Sequence, residues 1–335
     1  MYLYRKVSGD RITYYLRVSK RQGNKVVVKD IANLGTDPDK IMDNIGALDE
    51  KYSAQIRKSW RDLDRNVTIE RFLKKARVSK LRQVKGLSKD DLVSVEACRL
   101  HFNDIFKKMD FKTREEFLDV FFSEYAWNTA SIEGNTIPLK EAEKFFYENK
   151  ASKNSSIEEV YDLRNNKEAL KFIFENYDSL QISEGTMKKL HEILMRDVDK
   201  RLGFRTFDVR ILNSRFKSSP YPYIGADVKD LLNWFNENEN KLHPFVLAMI
   251  FHHRYEQIHP FADGNGRTGR LLINLILLKL GYMLLMIQRK NRTLYQDSLQ
   301  KADSGFFKSE TLDNYSELIS YGVFELRQTY WKYFV

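Results

Sequence analysis

The stretch Ile258-His-Pro-Phe-Ala-Asp-Gly-Asn-Gly-Arg-Thr-Gly-Arg270 concentrates more chemistry than any other part of this 335-residue chain. Its proline and glycines predict a short loop between two helices, the first ending near residue 258 and the second starting near 265. His259 and Asp263 fall on the loop. Gly264-Asn265-Gly266 lets the backbone pass close to a ligand, and a glycine-bearing loop that feeds a helix N-terminus is an anion site: free N–H groups and the positive end of the helix dipole meet there. Arg267 and Arg270, three residues apart, share one face of the first turns and lie close to the same anion. The anion expected is a polyphosphate. A carboxylate beside it, Asp263, predicts Mg²⁺ bridged to the phosphates, because Mg²⁺ is usually held by one or two protein carboxylates plus phosphate oxygens. His259 is the one group there able to accept a proton near neutral pH.

No GxxxxGK(S/T) occurs in the chain and no GxGxxG follows a strand, so this is not the nucleotide loop of P-loop enzymes. The segment resembles the Fic family, whose core motif HxFx(D/E)GNGRxxR is matched at every defined position by His259, Phe261, Asp263, Gly264, Asn265, Gly266, Arg267 and Arg270. The resemblance extends upstream through Ala248-x-x-x-His252 and Gly203-x-Arg205 and covers about residues 114–290. It says nothing about residues 1–85.

What the resemblance implies is an enzyme, a protein adenylyltransferase that moves AMP from ATP to a Ser, Thr or Tyr hydroxyl of a protein target, self-modification included. In that reading His259 is the general base, and Gly264 to Gly266 with the Asn265 side chain hold the α-phosphate. Asp263 holds Mg²⁺, and Arg267 and Arg270 anchor the β- and γ-phosphates. A second family motif, (S/T)xxxE(G/N), is matched by Thr129-Ala-Ser-Ile-Glu133-Gly134. It implies that Glu133 pairs with Arg270 in cis, competes with the γ-phosphate and holds the enzyme inhibited. In relatives so arranged the same glutamate also supports removal of AMP, and the sequence leaves that open.

Two alternatives stay open at this point. One keeps the scaffold but transfers phosphate, UMP or another phosphate-containing group; Gly266, at the position where phosphate-transferring relatives depart from GNG, favours AMP. The other is a nucleic-acid-binding regulatory protein that uses a basic N-terminus. A zinc site drawn from His252, His253 and His259 with Glu256 or Asp263 is disfavoured, since the histidines straddle a helix–loop junction.

Outward from the loop, apolar periodicity predicts a mainly α protein, a Fic-type helical bundle core. Helices are expected from about Arg114 to a stop at Gly134, then near 139–149, 157–177, 184–197, 227–240, 244–258, 265–281 and 291–302, with more at the C-terminus. Thr113-Arg-Glu-Glu116 and Ser156-Ile-Glu-Glu159 read as capping boxes. Phe145, Phe146, Phe172 and Phe174 read as core. Gly203 to Tyr223 breaks the pattern: Phe207, Val209 and Ile211 alternate with polar residues ahead of Pro220 and Pro222, which predicts a β-hairpin, by resemblance the family's flap over the target segment.

At the N-terminus Tyr2 to Val7, Arg11 to Val18 and Lys25 to Asn33 are rich in Tyr, Val and Ile and predict a small antiparallel β module. The expected division is a basic β-meander at 1–40, a basic helical segment and linker at 41–87, the catalytic domain at 88–290 and C-terminal helices at 291–335. The net charge of +10 belongs to the first part: residues 1–85 hold 21 Lys and Arg against 10 Asp and Glu, leaving 35 against 36 for the rest. Nucleic acid is therefore a candidate partner of residues 1–85, and a homodimer is the other assembly the family resemblance implies. A single cysteine, Cys98, excludes an intramolecular disulfide framework, and no signal-peptide pattern opens the chain, so a cytoplasmic location is expected. The longest apolar run, Leu271 to Ile287, is interrupted by Asn274 and Lys279, falls short of the roughly 20 residues of a membrane span, and predicts a buried helix with no membrane partner.

Overall fold

A computed structural model describes the chain except Asp10 and residues 151–154, 210–217 and 307–310, with backbone alone at 304–306. The chain packs as two compact units, one of Met1–Arg82 with Glu96–His101 and Val335, the other of Gln83–Val95 and Phe102–Phe334.

In the first unit, β1 (Tyr2–Ser8), β2 (Arg11–Gln22) and β3 (Lys25–Gly35) form an antiparallel sheet in the order β1-β2-β3. Gly23, at φ +59°, lets β2 and β3 join through a two-residue turn. The apolar alternation of β2 buries Tyr14 and Leu16. They pack with Leu34 of β3, with Ile41 and Ile45 of α1 (Ile41–Gly46), and with Ile56, Leu63 and Val67 of α2 (Ser53–Val78). The Tyr14 hydroxyl donates to Glu70 Oε2 at 2.8 Å, and Lys74 Nζ reaches Asp37 at 2.6 Å and Asp39 at 2.8 Å, so α2 is fastened both to the sheet and to the corner after it.

The helices that follow are α3 (Lys89–Asp104), α4 (Phe111–Ile132), α5 (Leu139–Glu148), α6 (Ile157–Asn176), α7 (Glu184–Met195) and α8 (Ile224–Asn238). After them come α9 (Pro244–Ile258), α10 (Asn265–Lys279), α11 (Arg292–Phe306) and α12 (Ser316–Tyr333). The α9–α10 pair is the centre of the second unit. Phe245–His253 of α9 and Thr268–Leu278 of α10 are buried without interruption, the pattern of helices enclosed on all sides. α6 and α7 pack against α10, and α4 against α6. At the C-terminus Phe334 meets Phe106 and Tyr330 at 4.9 and 5.0 Å between ring centroids.

Three local readings are corrected, and a fourth, the hairpin, lies in large part outside the described residues. The box at Ser156–Glu159 is formed, but the one at Thr113–Glu116 is not: α4 starts earlier, because Asp110 accepts the Thr113 N–H at 3.0 Å and caps the helix itself. The run Leu271–Ile287 is not one helix. α10 ends at Lys279, Gly281 turns the chain at φ +76°, and residues 282–287 follow as a buried segment that is neither helix nor strand. Asn274 makes that possible, donating to Leu285 O at 3.0 Å and accepting from Leu285 N at 2.8 Å. The centre of the expected hairpin, 210–217, lies outside the described residues, and its described flanks form no strand. Arg205 joins those flanks through its side chain, donating to Phe207 O at 2.8 Å and Ser219 O at 2.5 Å, and Pro220 and Pro222 favour a 3₁₀ turn at Tyr221–Tyr223. Phe145, Phe146, Phe172 and Phe174 are half-buried rather than fully enclosed; Phe145 and Phe146 pack on the buried cluster of Ala130, Ile137, Ala142 and Leu163. No helix among the described residues is long and apolar enough to cross a membrane.

Candidate active site

The loop between α9 and α10 is held by its own chemistry. His259 ends α9 in a left-handed conformation, φ +53° and ψ +58°, which costs energy for a residue with a Cβ. Arg205 supports it: its Nε donates to His259 O at 2.8 Å and its backbone N–H to Pro260 O at 2.9 Å. Phe261 is buried and stacks nearly parallel on His191 at 3.8 Å, while His191 Nε2 lies 3.0 Å from Asp263 O. Asn265 then closes the loop on itself. Its Oδ1 accepts from Phe261 N and its Nδ2 donates to Phe261 O, both at 2.8 Å. The amide expected to hold an α-phosphate is therefore engaged within the loop, leaving the first N–H groups of α10, which no intrahelical carbonyl can reach, for an anion. Gly264 is favoured by φ +78°, and a Cβ there would also have to displace the end of the Met195 side chain, whose Cε stands 2.6 Å away.

Glu133, His259, Asp263, Gly264, Asn265, Gly266 and Arg270 line one cavity of 390 Å³, and Arg292, Tyr295, Leu299 and Asp303 of α11 complete its wall. Arg267 does not line it. Its Nη1 meets Asp162 at 2.5 Å and its Nη2 meets Asp263 at 2.8 Å, so this arginine is buried between two carboxylates instead of facing the space where a phosphate would bind. Arg270 is buried and held on two sides. Nε donates to Thr129 Oγ1 at 2.7 Å, and Nη2 donates to Glu133 Oε1 at 2.7 Å. Thr129 and Glu133, one helical turn apart on α4, thus grip one guanidinium. A Cβ at Gly266 would collide with the Glu133 carboxylate, so glycine there makes room for the clamp.

Burial sets the charge states. It pushes His259 down to about 4, with a hydrogen bond to the Glu256 backbone acting the other way, so the imidazole is neutral at neutral pH. Burial, reinforced by Glu133, pushes Glu256 up to about 8, although Arg270 opposes the shift. Glu256 Oε2 stands 3.7 Å from His259 Nδ1, and Glu256 Oε1 has no hydrogen-bond partner. For Glu133 burial also works against the charge, but Arg270 and Arg267 outweigh it and hold the carboxyl below its ordinary range. His252 is buried, 2.5 Å from the Tyr295 hydroxyl, and burial pushes it down to about 3. Among the described residues no group of three or more His, Cys, Asp or Glu is placed to hold a metal ion.

Residues 181–277 match the model of the Fic/DOC family. The chain carries a Fic domain. A probable protein adenylyltransferase of Aquifex aeolicus is 31% identical to it over 194 residues, 57% of this chain and 58% of that one. The protein adenylyltransferase fic-1 of Caenorhabditis elegans is 27% identical over 242 residues, 70% of this chain and 46% of that one. The chain thus spans about half the length of these relatives. A Fic domain containing signaling protein from Bacteroides thetaiotaomicron has the same fold, with a TM-score of 0.64 at 21% identity over 71% of this chain and 95% of that one. Fic-1 of Caenorhabditis elegans aligns with a TM-score of 0.60 at 24% identity over 89% and 86%.

Asp162, Glu256, His191 and the α11 residues that wall the cavity of the Fic domain stand in no motif. Their signal is only that they sit on periodic helices, where a carboxylate or tyrosine near the buried face asks for a partner. Arg205 did carry a signal, in Gly203-x-Arg205, but its hold on the carbonyls of Phe207, Ser219, His259 and Pro260 did not.

Proposed function

We propose that this chain is a protein adenylyltransferase that transfers AMP from ATP to a Ser, Thr or Tyr hydroxyl of a protein and is held inhibited by Glu133. The observation that carries the reading is that a neutral His259, the N-terminus of α10 and the Glu133–Arg270 pair share one cavity within the volume range of small-molecule sites. The names of the relatives support the same activity.

In this mechanism His259, its Nδ1 turned to Glu256, takes the proton of the incoming hydroxyl on Nε2. The hydroxyl oxygen attacks the α-phosphorus, the bond to the bridging oxygen of the β-phosphate breaks, and pyrophosphate leaves. The first N–H groups of α10 stabilise the charge that develops on the α-phosphate oxygens. Asp263, more than half exposed on the cavity wall and meeting Arg267 only through Oδ2, fits the protein's share of an Mg²⁺ site, one carboxylate beside phosphate oxygens. Asp263 would hold the ion there, and the chemistry it would supply is neutralisation of phosphate charge. Arg267 acts by fixing Asp263 and by joining α10 to Asp162 of α6, and Arg270 is the arginine that receives the γ-phosphate. While Glu133 occupies Arg270, the γ-phosphate is denied that guanidinium and ATP does not settle with its α-phosphorus in line with the acceptor.

The test compares ATP labelled at the α-phosphate with ATP labelled at the γ-phosphate, using the Glu133→Gly variant and Mg²⁺. Protein-bound label from the α-labelled nucleotide alone is the expected result. Label from the γ-position would mean phosphate transfer and would overturn the reading.

A further inference from the structure

From Arg11 to Lys29 the chain carries six cations, Arg11, Arg17, Lys20, Arg21, Lys25 and Lys29, and no carboxylate. β1 pairs with β2 only as far as Arg17, whereas β2 and β3 stay paired out to Gln22 and Lys25. The outer part is thus a two-stranded ribbon. Every residue from Ser19 to Asp30 is exposed. Arg17 pairs with Asp30 and covers the Tyr4 ring, but Lys20, Arg21, Lys25 and Lys29 form no ion pair with any described residue. Lys20 and Arg21 are consecutive in a strand and point to opposite faces, with Val27 and Val26 as their cross-strand partners. Both faces of the ribbon are therefore basic.

Val26, Val27 and Val28, 67%, 44% and 48% exposed, add apolar surface to both faces along the outer strand. A bare valine edge invites strand pairing, and the like charges around it oppose a second copy. The occupant favoured by that combination is a polyanion with a groove. Paired strands about 4.8 Å apart, widened by side chains, suit the B-DNA major groove, which is about 12 Å wide and admits a two-stranded ribbon. The groove of A-form RNA is too deep and narrow to be read this way. Single strands call for stacking aromatics, and residues 18–30 contain none. Gln22 and Asn24 at the tip carry amides of the kind that pair with adenine, and valine methyls suit the thymine methyl.

We propose that the β2–β3 ribbon binds duplex DNA by entering its major groove, with Lys20, Arg21, Lys25 and Lys29 on the flanking phosphates. The inference is independent of the transfer reaction. It is tested on the full chain by fluorescence anisotropy of a fluorescein-labelled DNA duplex between about 50 and 200 mM salt, the range over which phosphate contacts dominate affinity. Combining Lys20→Ala, Arg21→Ala, Lys25→Ala and Lys29→Ala should weaken binding at least tenfold and reduce the salt slope by about 3 to 4. The melting temperature and the α-label transfer of the Glu133→Gly background should not change. Duplex RNA of the same sequence and phosphatidylserine vesicles should compete poorly. Absence of binding at about 50 mM salt, unchanged binding by the combined variant, or equal competition by either alternative polyanion would overturn the proposal.

Discussion

Glu133 Oε1 lies 2.7 Å from Arg270 Nη2, and the two residues are 137 positions apart in the chain. The contact spans α4 and α10, and it is reinforced by Thr129, which takes Arg270 Nε at 2.7 Å from the previous turn of α4. A charge-assisted hydrogen bond to a buried guanidinium is among the stronger polar contacts available to a protein. In the proposed mechanism the Glu133 carboxylate holds the guanidinium that a γ-phosphate would need, so occupation by one would exclude the other.

Removing the arginine tests that shared use. Arg270→Ala should weaken ATP binding at least tenfold, a loss of about 1.4 kcal/mol or more, by isothermal titration calorimetry in the Glu133→Gly background. An unchanged Kd would mean that another group receives the terminal phosphate.

His259 separates chemistry from binding. In the Glu133→Gly background, His259→Ala should abolish transfer while leaving the Kd for ATP within about threefold, since the base is not a phosphate ligand. Surviving transfer would reassign the base.

The pH profile follows from the buried imidazole. His259 works as a base only when neutral, and its folded value near 4, against an ordinary 6.5, keeps it neutral down to mildly acidic pH. Transfer by the Glu133→Gly variant should therefore be level from neutral pH to about 5 and fall as pH approaches 4. Loss of Glu133 removes a carboxylate that raises this value, so the variant should not titrate higher. Half-loss near 6.5 in the pH–rate profile would contradict the account.

Glu256 makes a separate stability prediction. Its carboxyl is raised from 4.5 to about 8 in the folded protein, so the unfolded chain releases the proton first. Its contribution is fully present below about 4.5 and is lost progressively as pH rises to about 8. Glu256→Gln should consequently gain melting temperature over the wild type as pH moves from 5 to 8 in thermal scans. A difference that is constant with pH would show that Glu256 does not titrate in this way.

The loop and its partner motif were legible because their chemistry is local. Glycines at 264 and 266, a histidine and an aspartate beside a helix start, and arginines at one face can be read from thirteen consecutive residues. What could not be read is how distant residues compete for the same groups. Arg267 is taken by Asp162, 105 positions away, and Asn265 by the Phe261 backbone, so two residues of the motif serve the scaffold. The end of α10 was hidden for a similar reason: leucine periodicity continues past Lys279, and only the bonds of Asn274 to Leu285 show why the chain turns back. At Thr113 the box pattern lost to Asp110, a better-placed cap one turn earlier.

The buried pair Arg267–Asp162 should matter to folding more than to charge on a phosphate. Asp162→Ala leaves a guanidinium buried against one remaining carboxylate, and breaking such a pair costs about 3 to 5 kcal/mol. Urea denaturation followed by circular dichroism should show the lowered midpoint, whereas an unchanged midpoint would make the pair dispensable.

The central claim is that Glu133 restrains a competent transferase by holding Arg270. The most direct measurement is incorporation of label from α-labelled ATP, with Mg²⁺, into the wild type and into Glu133→Gly under identical conditions. The account predicts little label on the wild type and at least about tenfold more on the variant, the effect of relieving roughly 1.4 kcal/mol of competition. Equal labelling of the two proteins would contradict it.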